Sequence, residues 1–426
     1  MESIFLQRRA YESKMSSVYW PAVLFACVFE PLGEEYKLLV VVFGLLVMVV
    51  HRKGDLELRL PNYSGLLVAV VLFGLFSGLV NGQVEEFGIY KFLRDVAYYI
   101  SPFLLWIFGC GMGKAVANEE RLWTTLFAMS VAAAFSTLVV GVTSNGVGLT
   151  LDSFKANELT IYAIVLLLAA PKSWKWRNSH KQLACVLGIF DAVVLLLTLS
   201  RTTIICLVFI LVIISARSFP RFSRTVTMGL ICFAGAAVLV SFMPSSTTTT
   251  FMDKVANSLT EVSSDNVIWT DTAITQNWRG YEKYCATTSF ENADSFTKLF
   301  GNGFGYQLYM GGYAFLVVND PSGGIPFLHN GYYSVLFKCG ALGLGALILF
   351  YALHLLRMFG LWFKNGRYID GLSLGILVCL AFCSYVIEGL FIPSGMYYFT
   401  LPLAMAFGLS LAKDSNDKYN GLIKGR

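Results

Sequence analysis

Charge is scarce in this sequence: 14% of the 426 residues carry it, against 56% that are apolar, and the mean hydropathy is +0.63. With apolar runs of fifteen or more recurring along the chain, that scarcity excludes an ordinary soluble domain and defines a polytopic membrane protein. Metal-ligand spacing of cysteine and histidine is missing, so no metal centre is expected and no cofactor is implied. Cys285 alone of nine cysteines lies outside the apolar runs, which excludes a disulfide within that segment; the other eight serve as small apolar filler. No internal repeat is present. Residues 1–17 lack the apolar core of a cleavable signal, so the first span is expected to act as the insertion signal, with residues 1–17 as an interfacial amphipathic helix. The net charge of +5 follows from basic residues retained beside membrane spans and gives no reason to expect a nucleic-acid partner.

The apolar runs predict an all-α polytopic bundle of about 12 spans. They lie near residues 18–32, 36–50, 63–80, 94–113, 121–142, 157–171, 182–199, 202–216, 226–243, 329–356, 371–391 and 395–411, the short first pair being the least defined. With the N-terminus inside, about two thirds of the lysines and arginines fall on the cytoplasmic side, so both termini are expected there. The chain then divides into residues 1–243 with nine spans, 244–328 as one large external loop, and 329–426 with three spans and a cytoplasmic tail. An external loop of about 85 residues is too long for a linker and is expected to carry function. It opens on the low-complexity Ser245–Thr250, shows helix-like spacing over 251–262 and 271–284, and continues into "FGNGFGYQLYMGG". Short amphipathic helices folded over the membrane surface are expected. Gly301, Gly303 and Gly305 lack the strand and helix of a dinucleotide fingerprint and read as tight turns.

Several charges stand where hydrocarbon is expected. The run 182–216 would make a single helix of roughly 52 Å, far beyond the ~30 Å apolar core of a bilayer. Two antiparallel helices meeting at Ser200–Thr203 solve this, and Arg201 then sits at the turn. Either it snorkels to the interface, or its guanidinium fork faces a cavity and binds an anion. Lys91 and Arg94 at the start of the fourth span, Arg279 in "QNWRGYEKY" and His329 at the start of the tenth all fall on the same external side. Asp191 and Lys338 lie about 12 and 14 Å below the outer ends of their spans, a depth that suggests a buried ion pair, with a proton pathway as the rival reading. Glu388 serves as an acid, orients His329, or is a simple interfacial residue, the last being the favoured reading.

Three segments in order, "LTLSRTTII", "WRGYEKY" followed by "FGNGFG", and "HNGYYSVLFKCGALG", resemble the O-antigen polymerase and O-antigen ligase superfamily of bacterial inner membranes (Wzy and WaaL types). The resemblance covers roughly residues 157–411. In the third segment His329 and Asn330 precede Gly340 and Gly343 at the superfamily's spacing; Ile205 departs from the leucine common in ligases.

The resemblance implies a metal-independent transfer of a glycan from an undecaprenyl pyrophosphate carrier to a sugar hydroxyl at the outer face of the inner membrane. It implies that Arg201 and Arg279 stabilise the leaving pyrophosphate and that His329 accepts or orients the proton of the attacking hydroxyl. Lys91, Arg94, Asn330 and Tyr333 are the expected substrate-binding residues, Arg94 for phosphate or a second lipid carrier. Tyr306, Tyr309, Tyr313, Tyr332 and Tyr333 either line a sugar groove or form an interfacial aromatic belt. The first expectation is a polymerase of carrier-linked repeat units for O-antigen, capsule or exopolysaccharide. The alternatives are a ligase delivering the glycan to lipid A core and, in another class, a lipid-linked glycan flippase or transporter. Partners would be the carrier-linked glycan, membrane lipid, and flippase and chain-length regulator proteins.

Overall fold

A computed structural model of the protein describes residues 18–29, 32–51, 60–143, 157–169, 171, 174–198, 200–216, 268–311, 313, 324–387, 389–392 and 397–411. These residues are overwhelmingly helical. The helices are α1 (Trp20–Phe29), α2 (Glu34–His51), α3 (Ser64–Val80), α4 (Gln83–Phe87), α5 (Ile89–Val116), α6 (Glu119–Thr143), α7 (Ile161–Leu168), α8 (Lys175–Ser179), α9 (Lys181–Leu197), α10 (Arg201–Ser215), α11 (Asp271–Gln276), α12 (Trp278–Asn292), α13 (Ser295–Phe300), α14 (Gly331–Asn365), α15 (Tyr368–Val386) and α16 (Tyr397–Leu411). One two-stranded antiparallel ladder, β1 (Leu308–Tyr309) with β2 (Gly324–Ile325), pairs Leu308 with Ile325.

Four of these helices, α5, α6, α14 and α15, are long and apolar enough to cross a membrane. The chain is therefore a membrane protein, and helices occupy eleven of the expected span positions. Most of the others are shorter apolar helices of 10–17 residues, such as α1, α3, α10 and α16. The ninth expected span, 226–243, lies outside the described residues, as do 1–17, 245–250 and 251–262.

The apolar run 182–216 divides into α9 and α10, because Ser200 caps the second helix: its Oγ accepts from the Thr203 N–H at 3.3 Å and from the Thr203 hydroxyl at 2.7 Å. In the loop, helices occupy 271–276 and 278–292 in place of the expected 271–284. Each loop helix begins at a polar cap: Thr270 Oγ1 accepts from Ala273 N, Asn277 Oδ1 from Gly280 N and Asp294 Oδ1 from Thr297 N.

The described residues form two compact units. The first lies within Met1–Leu32, Gly109–Leu207 and Ala404–Arg426. There α1, α7 and α9 pack on α6, and the indole of fully buried Trp174 donates to Thr124 Oγ1 at 3.0 Å. Gly113 faces the backbone of Met405, and Gly408 that of Cys110, so closely that a methyl group would collide at either place. Small residues permit such helix contact in a membrane.

The second unit, Gly33–Phe108 with Val208–Leu403, is built around α14, which packs on α3, α13 and α15. α14 is broken at Gly340, whose backbone (φ 69°, ψ −172°) is not helical. A side chain there would strike the carbonyl of Leu299, so only glycine fits. Beyond the break roughly 25 residues remain, about 37 Å of helix, enough to cross a bilayer alone. The segment before it, Gly331–Cys339, is left with carbonyls that its own helix does not satisfy. The glycine-rich loop supplies the donors: Asn302 N and Nδ2 bond the Phe337 carbonyl at 2.8 and 3.1 Å, and Gly303 N bonds that of Lys338 at 2.9 Å. The expected turns at Gly301, Gly303 and Gly305 exist, all with φ near +90°. They lie buried rather than on a surface, Gly301 against α14 and Gly305 against α4 and α5, and Gly303 approaches the backbone of Ser77 and Gly78 in α3 where no side chain fits.

Candidate active site

The loop helices and the β ladder enclose a small core of their own, including Ile274, Tyr281, Leu308, Met310, Ile325 and Phe337. The Tyr281 hydroxyl locks α12 to the strand side by donating to the Met310 carbonyl at 2.9 Å. That core presents Glu282 of α12 to the segment leading into α14. Glu282 is buried, yet three donors converge on it: the His329 backbone N–H (2.8 Å, to Oε2), His329 Nδ1 (2.8 Å, to Oε1) and the Trp278 indole N–H (2.5 Å, to Oε1). A carboxylate only accepts, so Nδ1 carries the proton in the neutral ring and Nε2 is the acceptor nitrogen. The His329 side chain is 38% exposed, so the anchored ring is in part open to its surroundings. Asn330 caps α14, its Oδ1 accepting from Tyr332 N and Tyr333 N at 3.0 and 3.2 Å. Sequence reasoning gave Asn330 a substrate contact; the structure gives its carbonyl a local job that fixes where His329 ends and the helix begins.

A second polar centre sits two residues upstream, around Phe327. Asp95 of α5 and Lys338 of α14, both fully buried, form an ion pair. Asp95 Oδ2 also accepts from Gly305 N at 2.8 Å, and Lys338 donates to the Tyr306 carbonyl at 3.1 Å. The expected Asp191–Lys338 pair is corrected here: the carboxylate on Lys338 is Asp95, and Asp191 instead accepts from Ser130 Oγ at 2.6 Å in the first unit. Equal depth along two spans does not make them neighbours. Phe327 lies beneath the cations, with Lys338 Nζ 4.9 Å and the Arg94 guanidinium 5.8 Å from its ring centre, while Tyr98 stacks on it at 5.2 Å. Arg94, 16% exposed, reaches Asp95 Oδ1 at 3.3 Å, and Lys91 one turn earlier lies over Phe87.

Of the site residues expected from sequence, Lys91, Arg94, Arg279, His329, Asn330 and Tyr333 all belong to the second unit. Arg279 is exposed one turn before Glu282, and Tyr333 packs against the loop core. Arg201 belongs to the first unit, at the first position of α10. Among the tyrosines, Tyr309 is exposed, Tyr313 packs edge-on against Tyr281, and Tyr332 turns away to donate to the Ala381 carbonyl at 3.0 Å. Glu388 lies outside the described residues. The partner of His329 that sequence reasoning missed is Glu282; only its place in "WRGYEKY", one turn after Arg279, hinted at it.

Burial pushes the Cys285 thiol up to about 11, aided by the charge of Glu282, while its contact with the Tyr281 hydroxyl opposes the shift. Burial likewise raises the Tyr281 hydroxyl, so both stay neutral beside Glu282. Among the described residues no three histidines, cysteines or carboxylates gather to hold a metal ion. The chain matches no protein-family model and no curated protein. The arrangement is a histidine held by a buried carboxylate, on loop helices packed against α14. A ring held in this way is able to accept a proton.

Proposed function

We propose that the protein is a membrane glycosyltransferase that polymerises undecaprenyl-pyrophosphate-linked repeat units at the outer face of a bacterial inner membrane. Both termini face the cytoplasm and about 12 spans cross the bilayer in this reading. The observation that carries it is the Glu282–His329 contact, which holds the proton on Nδ1 and makes Nε2 the acceptor nitrogen of a partly exposed ring. The acceptor sugar hydroxyl loses its proton to His329 Nε2 as its oxygen bonds the anomeric carbon of the donor glycan. The bond from that carbon to the carrier pyrophosphate breaks, and the pyrophosphate leaves with the bonding electrons. Arg279 stabilises that charge with a planar fork suited to phosphate oxygens. Arg94 and Lys91 serve the acceptor's own carrier. Flippase and chain-length regulator proteins are the natural partners of such an enzyme.

Purified protein reconstituted with carrier-linked repeat units, with and without lipid A core, tests the reading when products are resolved by size. Ladders without core are expected, and His329→Ala is expected to abolish them while the protein remains folded. Product only when core is present would replace polymerase by ligase. No product in either case, or full ladders from His329→Ala, would overturn the assignment.

A further inference from the structure

The first two turns of α12 carry a cationic stripe with no ion-pair partner among the described residues. Arg279 is exposed and Lys283 half-buried, and neither has a hydrogen-bond or ion-pair partner among the described residues. At 3.6 residues per turn, positions 279 and 283 lie about 40° apart on one face, with Glu282 about 60° from the first and 100° from the second. Like charges at this spacing destabilise a helix, and a cation in the first turn opposes the helix dipole. No acidic residue stands in that first turn to compensate. Of the two acids on α12, Glu282 is turned inward onto His329 and Trp278, and Glu291 is two turns beyond Lys283. The stripe thus weakens its own helix to concentrate positive charge beside the site.

We propose that Lys283 joins Arg279 as the second cation of a pyrophosphate site on α12, Arg279 supplying the planar fork and Lys283 a point charge. The proposal rests on reading His329 as the base of a glycosyl transfer. In a direct displacement the leaving group departs from the face of the anomeric carbon opposite the attacking hydroxyl. The cation site must therefore be offset from the base, and the step around α12 from Glu282 to the Arg279–Lys283 face provides that offset. The leaving pyrophosphate is then held by the same helix whose adjacent face anchors the base.

The test is calorimetric titration of the full-length protein in phosphatidylcholine nanodiscs with inorganic pyrophosphate and with farnesyl pyrophosphate. Lys283→Gln and Arg279→Gln are each expected to weaken both ligands by about tenfold or more, with the melting temperature equal to or above that of the parent protein. Lys298→Gln, a cation elsewhere in the same loop, is expected to bind as the parent protein does. Parent-like binding by Lys283→Gln, equal weakening by Lys298→Gln, or loss of the pyrophosphate signal when phosphatidylglycerol replaces phosphatidylcholine would overturn the site, the last by assigning the stripe to lipid headgroups. Binding that depends on Lys283 in a protein that transfers no glycan would keep the site and remove only the reading of His329.

Discussion

Glu282→Gln tests the candidate site without changing its shape. In the parent protein the two carboxylate oxygens receive three N–H groups: Trp278 Nε1 and His329 Nδ1 at Oε1, the His329 backbone N at Oε2. Glutamine has one accepting oxygen. If that oxygen occupies the Oε1 position, the amide NH2 faces the His329 backbone N–H, donor against donor. If it occupies the Oε2 position, the NH2 faces the indole N–H and turns Nδ1 into the acceptor, which places the proton on Nε2 and removes the base. Either orientation leaves at least one buried donor unmet, a cost of about 1–3 kcal/mol. The second also removes general-base help worth about 10²–10⁴ in rate. The expected outcome is a lower melting temperature together with turnover reduced within that range. Glu282→Asp would keep the charge but shorten the reach, and should retain more activity than Glu282→Gln. The assay is single-turnover transfer from carrier-linked repeat units, run as a pH series beside a thermal-shift measurement. Parent-like turnover and stability from Glu282→Gln would refute the reasoning, because the carboxylate would then neither hold the ring nor set its tautomer.

Other consequences are equally open to measurement. Arg201→Lys should lose most polymer at unchanged protein level, since a point charge does not reproduce a fork; undiminished ladders would show that transfer does not need the Arg201 guanidinium. Lys338→Met leaves buried Asp95 with only the longer Arg94 contact and should destabilise the second unit by about 3 kcal/mol, seen as a lower melting temperature. Combining it with Asp95→Leu should recover much of the loss, whereas additive damage from the two changes would show that the pair is not coupled. Cys285, with its thiol pushed up to about 11 by burial, is thiol rather than thiolate at neutral pH. Its maleimide labelling should be slow at pH 7 and rise about tenfold per pH unit to well beyond pH 9, where an ordinary cysteine has levelled off. Labelling that saturates near pH 9 would mean that the thiol is not buried as described.

Much of this protein is written locally in its sequence. Apolar run length against bilayer thickness determines that the chain enters a membrane and where its helices lie, and the impossible length of 182–216 demands the division that Ser200 makes with one hydroxyl. Thr270, Asn277, Asp294 and Asn330 mark helix starts because a cap acts within one turn of its own residue. Arg201, Arg279 and His329 stand out because charge or imidazole is conspicuous beside apolar sequence. Tertiary structure alone decided the pairings. Glu282 lies in a polar loop where one more glutamate is unremarked, and it reaches His329 across 47 residues of chain. Lys338 finds Asp95 across 243, a choice made by which helices pack together and not by depth along them. Likewise, the glycines at 301–305 are legible as turns. That they enter the bundle to satisfy the carbonyls at the Gly340 break depends on donors about 35 residues away, beyond the reach of any local rule.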